Sequence, residues 1–468
     1  MKPNLIYVFA DQLRYQSCGY AGDEKAQTPR IDQLAAESVN FNNAVSGHPM
    51  CAPYRASLFT GKYSSSTGMV INELRLNPDH HHCFGQVLDT GGYETYYIGK
   101  WHLYANELGH HEAARNSYTP PGPHRLGFDG FWASYGFHHT YNDQYYHTDS
   151  PEKIVIPGYE PDGQTTLAIE KLTEAAVNDQ PFALFLSLGT PHDPWGSDNV
   201  PAEYLARFQD TSFSLPPNYK PQDDPYGDKW ASLSEAERDA LPEWMRVYYA
   251  MTANLDWNVG RLLDAIDQLG LNDNTIVVFT SDHGEMFGAQ GRRAKNIFYE
   301  EAVRVPFLIR WSGHTASGES CDALLNTPDI MPTLLSLLEL RIPAGVEGSD
   351  LSHRVLGQPG PEPETALLHG MGACAIFEDG HEWRGLRSKQ FTYATYLVDE
   401  SELLFDHEAD PYQMHNLADD PQYAQTVAHF RHTLETRLQA LNDPFETCTW
   451  YEAHWTENRI IQRTATAS

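Results

Sequence analysis

Basic residues, paired cysteines and long apolar runs are all scarce in this chain, and each shortage narrows what it can do. Lys and Arg number 32 against 63 Asp and Glu, so the 468 residues carry a formal charge of −31. That charge repels phosphodiester backbones and anionic lipid headgroups, which excludes nucleic acid and membrane surfaces as partners. The six cysteines, Cys18, Cys51, Cys83, Cys321, Cys374 and Cys448, show no C-x-x-C spacing. A zinc motif and a dense disulfide framework are thereby excluded, and most of these residues are expected to be buried thiols. No stretch approaches the length of a transmembrane span. The first apolar run, Leu5 to Ala10, is stopped by Asp11, too early for a signal-peptide core and without a small-residue cleavage site. As written the chain is expected to be cytoplasmic, or periplasmic or secreted if a signal peptide has been removed. Repeats and low-complexity tracts are also lacking.

What is present is a series of short apolar runs ending in polar residues and separated by helical stretches, the pattern of an α/β protein. Leu5 to Ala10 ends at Asp11, Thr95 to Gly99 at Lys100, and Ile276 to Ser281 at Asp282, while Phe182 to Leu188 leads to His192. In an open, mostly parallel sheet the carboxyl ends of the strands carry the site, so these four groups are expected on one edge. The clearest helix follows Leu241, with Met245, Tyr249, Leu255, Val259, Leu262 and Ile266 on one face and Gly270 as its stop. Long loops at about 104–165 and about 193–242 are expected to shape a pocket. The Gly/Pro-rich stretch from Pro343 to Pro363 suggests a catalytic domain over 1–360 and a smaller C-terminal subdomain over 361–468, with a strand-like run at Thr392–Val398 and a terminal helix from about Tyr423 to Leu441.

The most informative segment is Cys51-Ala52-Pro53-Tyr54-Arg55, followed by Ala56 to Thr60 and Gly61. Pro53 suits the first turn of a helix, which puts Cys51 at a helix N-terminus, a position that favours anions. Against the acidic background, Arg55, Lys100 and Lys295 are the cations expected to matter for an anionic substrate. The segment resembles the maturation signal in which type I sulfatases convert cysteine to formylglycine. Further matches are Ala10-Asp11-Gln12, Gly99-Lys100-Trp101-His102, Gly127-Phe128-Asp129, Thr190-Pro191-His192, Ser281-Asp282-His283-Gly284-Glu285 and Lys295, with Leu404-Phe405-Asp406 near the C-terminus. The chain is similar to the formylglycine-dependent sulfatases of the alkaline-phosphatase-like superfamily, from about Asn4 to about Leu441. The fold this implies is a large central mixed sheet flanked by helices, with a smaller C-terminal α+β subdomain built of a short antiparallel sheet and a terminal helix.

The resemblance also implies a site. Asp11, Gln12, Asp282 and His283 would hold a divalent cation beside residue 51, calcium as first choice and manganese as second, because Gln12 and His283 stand where an Asp and often an Asn occur in the family. The hydrated aldehyde from Cys51, activated by the metal and Arg55, would attack sulfur, and its second hydroxyl would let the sulfated hemiacetal collapse. His102, tethered by Lys100, would move the proton on the formylglycine. His192 with Lys295 would serve the sulfate and the leaving oxygen, His192 as general acid. A formylglycine-generating enzyme is then the maturation partner and a sulfated polysaccharide or its oligosaccharides the substrate. The alternatives are a phosphonate or phosphate ester hydrolase of the same superfamily, and a metal-dependent glycan-binding pseudoenzyme. Adjacent histidines at 80–82, 110–111 and 138–139 point in different directions on any regular backbone and are not expected to bind metal. The aromatic residues Trp132, Tyr135, Phe137, Tyr141, Tyr145 and Tyr146 read equally as core or as a stacking wall for sugar rings.

Overall fold

The computed structural model describes residues 2–467. Its centre is an eight-stranded sheet of β1 (Asn4–Ala10), β2 (Val39–Val45), β3 (Glu94–Lys100), β4 (Phe131–Tyr135), β5 (Phe182–Leu188), β6 (Thr275–Ser281), β7 (Phe307–Trp311) and β8 (Glu319–Asn326). The spatial order is β8-β2-β7-β6-β1-β5-β3-β4. Every pairing is parallel except those of β7, which runs antiparallel to β2 and β6. Strands β1, β5 and β6 are buried along their whole length, as continuous apolar runs in a parallel sheet covered on both faces should be.

Alternation along β1 divides the core. Leu5, Tyr7 and Phe9 face one layer, containing Ala52, Tyr54 and Phe59 of α2 (Cys51–Thr60). Ile6, Val8 and Ala10 face the other, formed by α1 (Pro29–Glu37), α3 (Glu160–Ala175) and α4 (Glu235–Gln268). Helix α4 starts earlier than its apolar face suggests. Ser234 caps it by accepting from the Glu237 N–H while Glu237 reaches back to the Ser234 N–H, and Pro242 lies inside it, so the capping box rather than the proline sets its start. The second long loop is thus shorter than expected, and the first contains the edge strand β4.

Beyond α5 (Thr327–Leu337), a four-stranded antiparallel sheet follows: β9 (Ala366–Gly370), β10 (Trp383–Arg387), β11 (Phe391–Tyr396) and β12 (Glu402–Asp406). Helix α6 (Ala424–Ala440) packs on it through Val427, Phe430 and Leu434. Past the expected end of regular structure come α7 (Cys448–Trp455) and a hairpin of β13 (Thr456–Glu457) and β14 (Ile460–Ile461). No helix among the described residues is long and apolar enough to cross a membrane. All six cysteines are free, and only Cys374 is more than marginally exposed.

A fully buried ion pair ties this region together. Arg384 on β10 donates to both oxygens of Asp443 at 2.9 Å and to Tyr451 Oη of α7 at 3.0 Å. Burial alone would raise the Asp443 carboxyl, but Arg384 and a hydrogen bond with His369 hold it well below the usual carboxylate range. Its stabilising contribution is therefore complete above about pH 4 and is lost only as pH falls into the strongly acidic range. Asp443→Ala strands a buried guanidinium, and we expect it to cost about 3–5 kcal/mol, read as a lowered urea midpoint at neutral pH. A loss under 1 kcal/mol would count against this account.

Candidate active site

Strand register brings the expected groups to one edge. Ala10 lies level with Leu188 and with Ser281, and the Asp11 and Asp282 N–H groups bond to Leu188 O and Ala10 O, each at 3.1 Å. Asp11 and Asp282 thus emerge side by side from adjacent parallel strands, with Lys100 at the end of β3. Gly99 is obligatory for this closeness, since its φ is +105° and a Cβ there would lie 2.0 Å from Ser187 O.

Helix α2 delivers Cys51 from the other side. It begins at Cys51, and Gly61 closes it in the left-handed region with φ +64°. Asn72 Oδ1 accepts the Ala52 N–H at 3.0 Å, satisfying one of the free amides of the first turn. One turn on, Arg55 is wholly buried, with Nη2 on Asp11 Oδ2 at 3.3 Å and Asp282 Oδ2 at 3.2 Å. Its other amino group holds Lys100 O at 2.6 Å and Ser187 Oγ at 2.8 Å. Arg55 therefore fastens the two carboxylates to each other and to α2.

Cys51 Sγ lies 3.7 Å from Asp11 Oδ1 and 3.3 Å from His283 Nε2, and one ligand atom from each of Asp11, Cys51, Asp282 and His283 falls within 4.8 Å of the rest. Burial would raise the Asp11 carboxyl, but Lys100, His192, Arg55 and Lys295 together hold it well below the ordinary range, as a carboxylate. Burial pushes His283 down to about 4. Its Nδ1 donates to Gly284 O at 2.9 Å, which leaves the Nε2 lone pair facing the cluster. Two carboxylates and a neutral imidazole fit a divalent cation. Gln12 joins through its amide: Oε1 accepts from Lys295 Nζ and Nε2 donates to Glu285 Oε2, each at 2.7 Å, and the oxygen keeps a second lone pair.

Lys295 Nζ also donates to His192 Nε2 at 2.7 Å, and His192 Nδ1 donates to Asp193 O at 2.8 Å. The expected pairing of His192 with Lys295 is present. The expected tether between Lys100 and His102 is not: Lys100 Nζ bonds to Asp11 Oδ2 at 2.5 Å, because a buried ammonium is drawn to the nearer carboxylate. Among the described residues neither ring nitrogen of His102 has a partner, and burial, then Lys100 and Arg55, keep it well below its usual pKa and hence neutral. For Cys51, burial and Asp11 raise the thiol while Lys100, Lys295 and a hydrogen bond with His192 lower it, leaving it below its ordinary value.

Cys51, Lys100, His102, His192 and Lys295 line a cavity of about 130 Å³, whose mouth is built by Leu108, His111, Phe137 and His139 from one long loop and Asp193 and Trp230 from the other. Of the aromatic run, Phe137 alone lines it. Trp132 stacks on Tyr97 in the core, and the hydroxyls of Tyr135 and Tyr141 bond to Glu160 and Gly189; Tyr145 is buried and Tyr146 half-buried. The stacking-wall reading therefore contracts to one ring. His138 and His139 diverge as expected, the first to Glu160 and the second to the rim, 5.2 Å from the His192 ring. Among the described residues the histidines at 80–82, at 110–111 and at 138 join no group of convergent metal ligands, whereas His139 does, with His192 and Asp193.

The sequence matches the Sulfatase family over residues 3–340 and the N-sulphoglucosamine sulphohydrolase C-terminal family over residues 288–440. The chain belongs to the sulfatase family. Among its relatives, an ulvan-active sulfatase of Formosa agariphila is 40% identical, over 96% of this chain and 84% of that one. An endo-4-O-sulfatase of Bacteroides thetaiotaomicron is 30% identical, over 98% and 95%. The crystal structure of sulfatase YidJ from Bacteroides fragilis superposes with a TM-score of 0.83 at 31% identity, covering 96% of this chain and 97% of that one. A phosphonate monoester hydrolase of Agrobacterium radiobacter, at 22% identity and TM-score 0.68, shares the fold alone. This sulfatase is thus a sulfate ester hydrolase, and its family implies a divalent cation and a formylglycine.

Sequence reasoning passed over Glu285 as anything beyond a motif letter. It is fully buried and accepts from Gln12 Nε2, the Phe287 N–H and the Ala294 N–H, at 2.7, 3.0 and 2.8 Å. The sulfatase uses it to orient the Gln12 amide. We expect Glu285→Ala to weaken divalent-cation affinity about 10- to 100-fold, measured by metal titration of the chelator-treated enzyme. Unchanged affinity would remove this role.

Proposed function

We propose that this sulfatase removes sulfate esters from a sulfated polysaccharide or its oligosaccharides, with formylglycine made from Cys51 by a formylglycine-generating enzyme and with a divalent cation, calcium before manganese, held by Asp11, Gln12, Asp282 and His283. The observation that carries the reading is the convergence of Cys51 Sγ, two carboxylates and the His283 lone pair within 4.8 Å, beside the cations Arg55, Lys100 and Lys295. Support for a carbohydrate substrate comes from relatives matched over nearly the whole chain, an ulvan-active sulfatase and an endo-4-O-sulfatase among them.

When present, the cation supplies Lewis acidity at a sulfate oxygen, and formylglycine supplies, as its hydrate, an oxygen nucleophile with a second hydroxyl. The residues do the rest. Arg55 positions both carboxylates. Lys100 and Lys295 place positive charge where the sulfate oxygens sit. His102, neutral and unpartnered, takes a proton from residue 51. Lys295 Nζ donates to His192 Nε2, the nitrogen that faces the leaving oxygen in this reading, so the proton the leaving oxygen takes from Nε2 is supplied by the Lys295 ammonium, while the Asp193 carbonyl accepts from Nδ1 on the opposite side of the ring.

The test is co-expression with a formylglycine-generating enzyme, mass spectrometry of the peptide containing residue 51, and assay against methyl glycosides of galactose, glucose, N-acetylglucosamine and 6-deoxyhexoses monosulfated at each position. Activity should track aldehyde content. Full activity with unmodified cysteine alone would overturn the mechanism.

An alkyl alcohol leaves poorly without a proton, whereas a nitrophenolate scarcely needs one. We therefore expect His192→Ala to lower kcat on a sulfated sugar by about 10²–10⁴-fold and to lower it markedly less on 4-nitrophenyl sulfate. Equal losses would reduce His192 to sulfate binding.

A further inference from the structure

One side chain in the pocket has no task in this chemistry. Glu73 lines the cavity that holds Cys51, Lys100 and His102 and is only 3% exposed, yet its Oε2 has no hydrogen-bond partner among the described residues. Its nearest charged-type neighbour is His111, with Nδ1 3.7 Å from Glu73 Oε1, too long for a hydrogen bond, and that nitrogen is unpartnered as well. A buried carboxylate without donors is costly. Burial pushes Glu73 up to about 7, against the opposing pull of Arg459 and Lys100, as expected of an acceptor whose donors are missing from the protein.

Its position is held rather than incidental. Glu73 sits in the left-handed region at φ 62°, an uncommon conformation for a residue with a side chain. Arg459, from the turn between β13 and β14, clamps it there: Nε donates to Glu73 O at 2.9 Å, and Nη2 donates to Asn72 O at 3.1 Å and Ala375 O at 2.8 Å. The Arg75 N–H bonds to Arg459 O at 2.9 Å and the Ile461 N–H to Arg75 O at 3.1 Å. The C-terminal hairpin thus braces the wall of the pocket that carries Glu73.

The chemistry of the two partners narrows what the carboxylate receives. A sulfate group only accepts hydrogen bonds, so it cannot satisfy Glu73 as a carboxylate, and its place is among the cations. The donors must come from the alcohol half of the ester. On the side of Glu73 the mouth is formed by flat, uncharged rings. Phe137 packs between the rings of His102 and His111 at 4.3 and 3.9 Å, and burial lowers the pKa of His102, His111 and His139.

We propose that Glu73 is the specificity residue of a sugar-binding subsite, accepting a hydrogen bond from a free hydroxyl next to the esterified oxygen, so that the enzyme selects a ring with a neighbouring hydroxyl and rejects one carrying a second anionic group there. This rests on the glycan sulfatase reading above and deepens it. A site that hydrogen-bonds a hydroxyl discriminates strongly against the analogue lacking it, because its own buried group is then left unpaired.

The experiment is a double-mutant cycle. The fastest substrate from the panel of monosulfated methyl glycosides is compared with its monodeoxy analogues, each neighbouring hydroxyl removed in turn, for the wild type, Glu73→Ala and Glu73→Gln. Thermal unfolding checks that each variant folds. For one hydroxyl, we expect removal to cost the wild type about 10- to 100-fold in kcat/KM and Glu73→Ala less than about threefold. The loss in Glu73→Ala on the parent sugar should exceed its loss on 4-nitrophenyl sulfate by at least about tenfold. Glu73→Gln, which retains an acceptor oxygen, should fall between wild type and Glu73→Ala. If every deoxy analogue costs wild type and variant the same factor, or if Glu73→Ala loses equally on sugar and aryl sulfate, the assignment is overturned. Turnover of 4-nitrophenyl sulfate without hydrolysis of any glycoside would instead overturn the glycan reading, and this assignment with it.

Discussion

Two aspartates set side by side where water cannot reach them are the constraint around which this molecule is arranged. Asp11 and Asp282 are both fully buried, and each is bridged by the same guanidinium nitrogen of Arg55. Uncompensated, buried charges of this kind cost several kcal/mol apiece. The remedy needs three pieces of chain at once: adjacent parallel strands in register to place the acids, β3 to deliver Lys100, and α2 docked so that Arg55 reaches between them. Arg55 lies four residues after Cys51 on one helix, hence on the same face. The interaction that neutralises the carboxylates therefore also fixes the residue to be modified.

The result is a local inversion of charge. A protein of formal charge −31 places Arg55, Lys100 and Lys295 around a single point, so an anion repelled by the overall charge meets concentrated positive charge there. The cavity also presents two chemistries. Lys100 and Lys295 stand beside Cys51, where a sulfate would sit, and the imidazoles of His102 and His111, the Phe137 ring and the unsatisfied Glu73 carboxyl form a wall where the alcohol would sit.

Much of this arrangement was legible in the chain. Apolar runs closed by Asp11, Lys100 and Asp282 located three strands of the sheet and their functional ends, because a fully buried parallel strand must be apolar along its whole length. The face of α4 was read correctly and its start was not, although Ser234 and Glu237 form a capping box; Pro242 obscured it. Trp132 and Tyr135 lie on an edge strand within what looked like a loop, since a cluster of aromatic residues suits a strand and a loop wall equally well.

Which residue type stands at which strand end, the helix start at Cys51 and the four-residue step to Arg55 are local properties, set by φ/ψ preference and helical periodicity, and the sequence by itself determined them. Partnership was decided only by tertiary structure. Lys100 bonds to Asp11, 89 positions away, rather than to His102, because distance and burial in the folded state select among carboxylates and imidazoles that the sequence treats alike. In the same way, nothing local marks Glu73 as a pocket residue. An arginine 386 positions further on holds its backbone there, and a contact of that separation exists only once the chain has closed on itself.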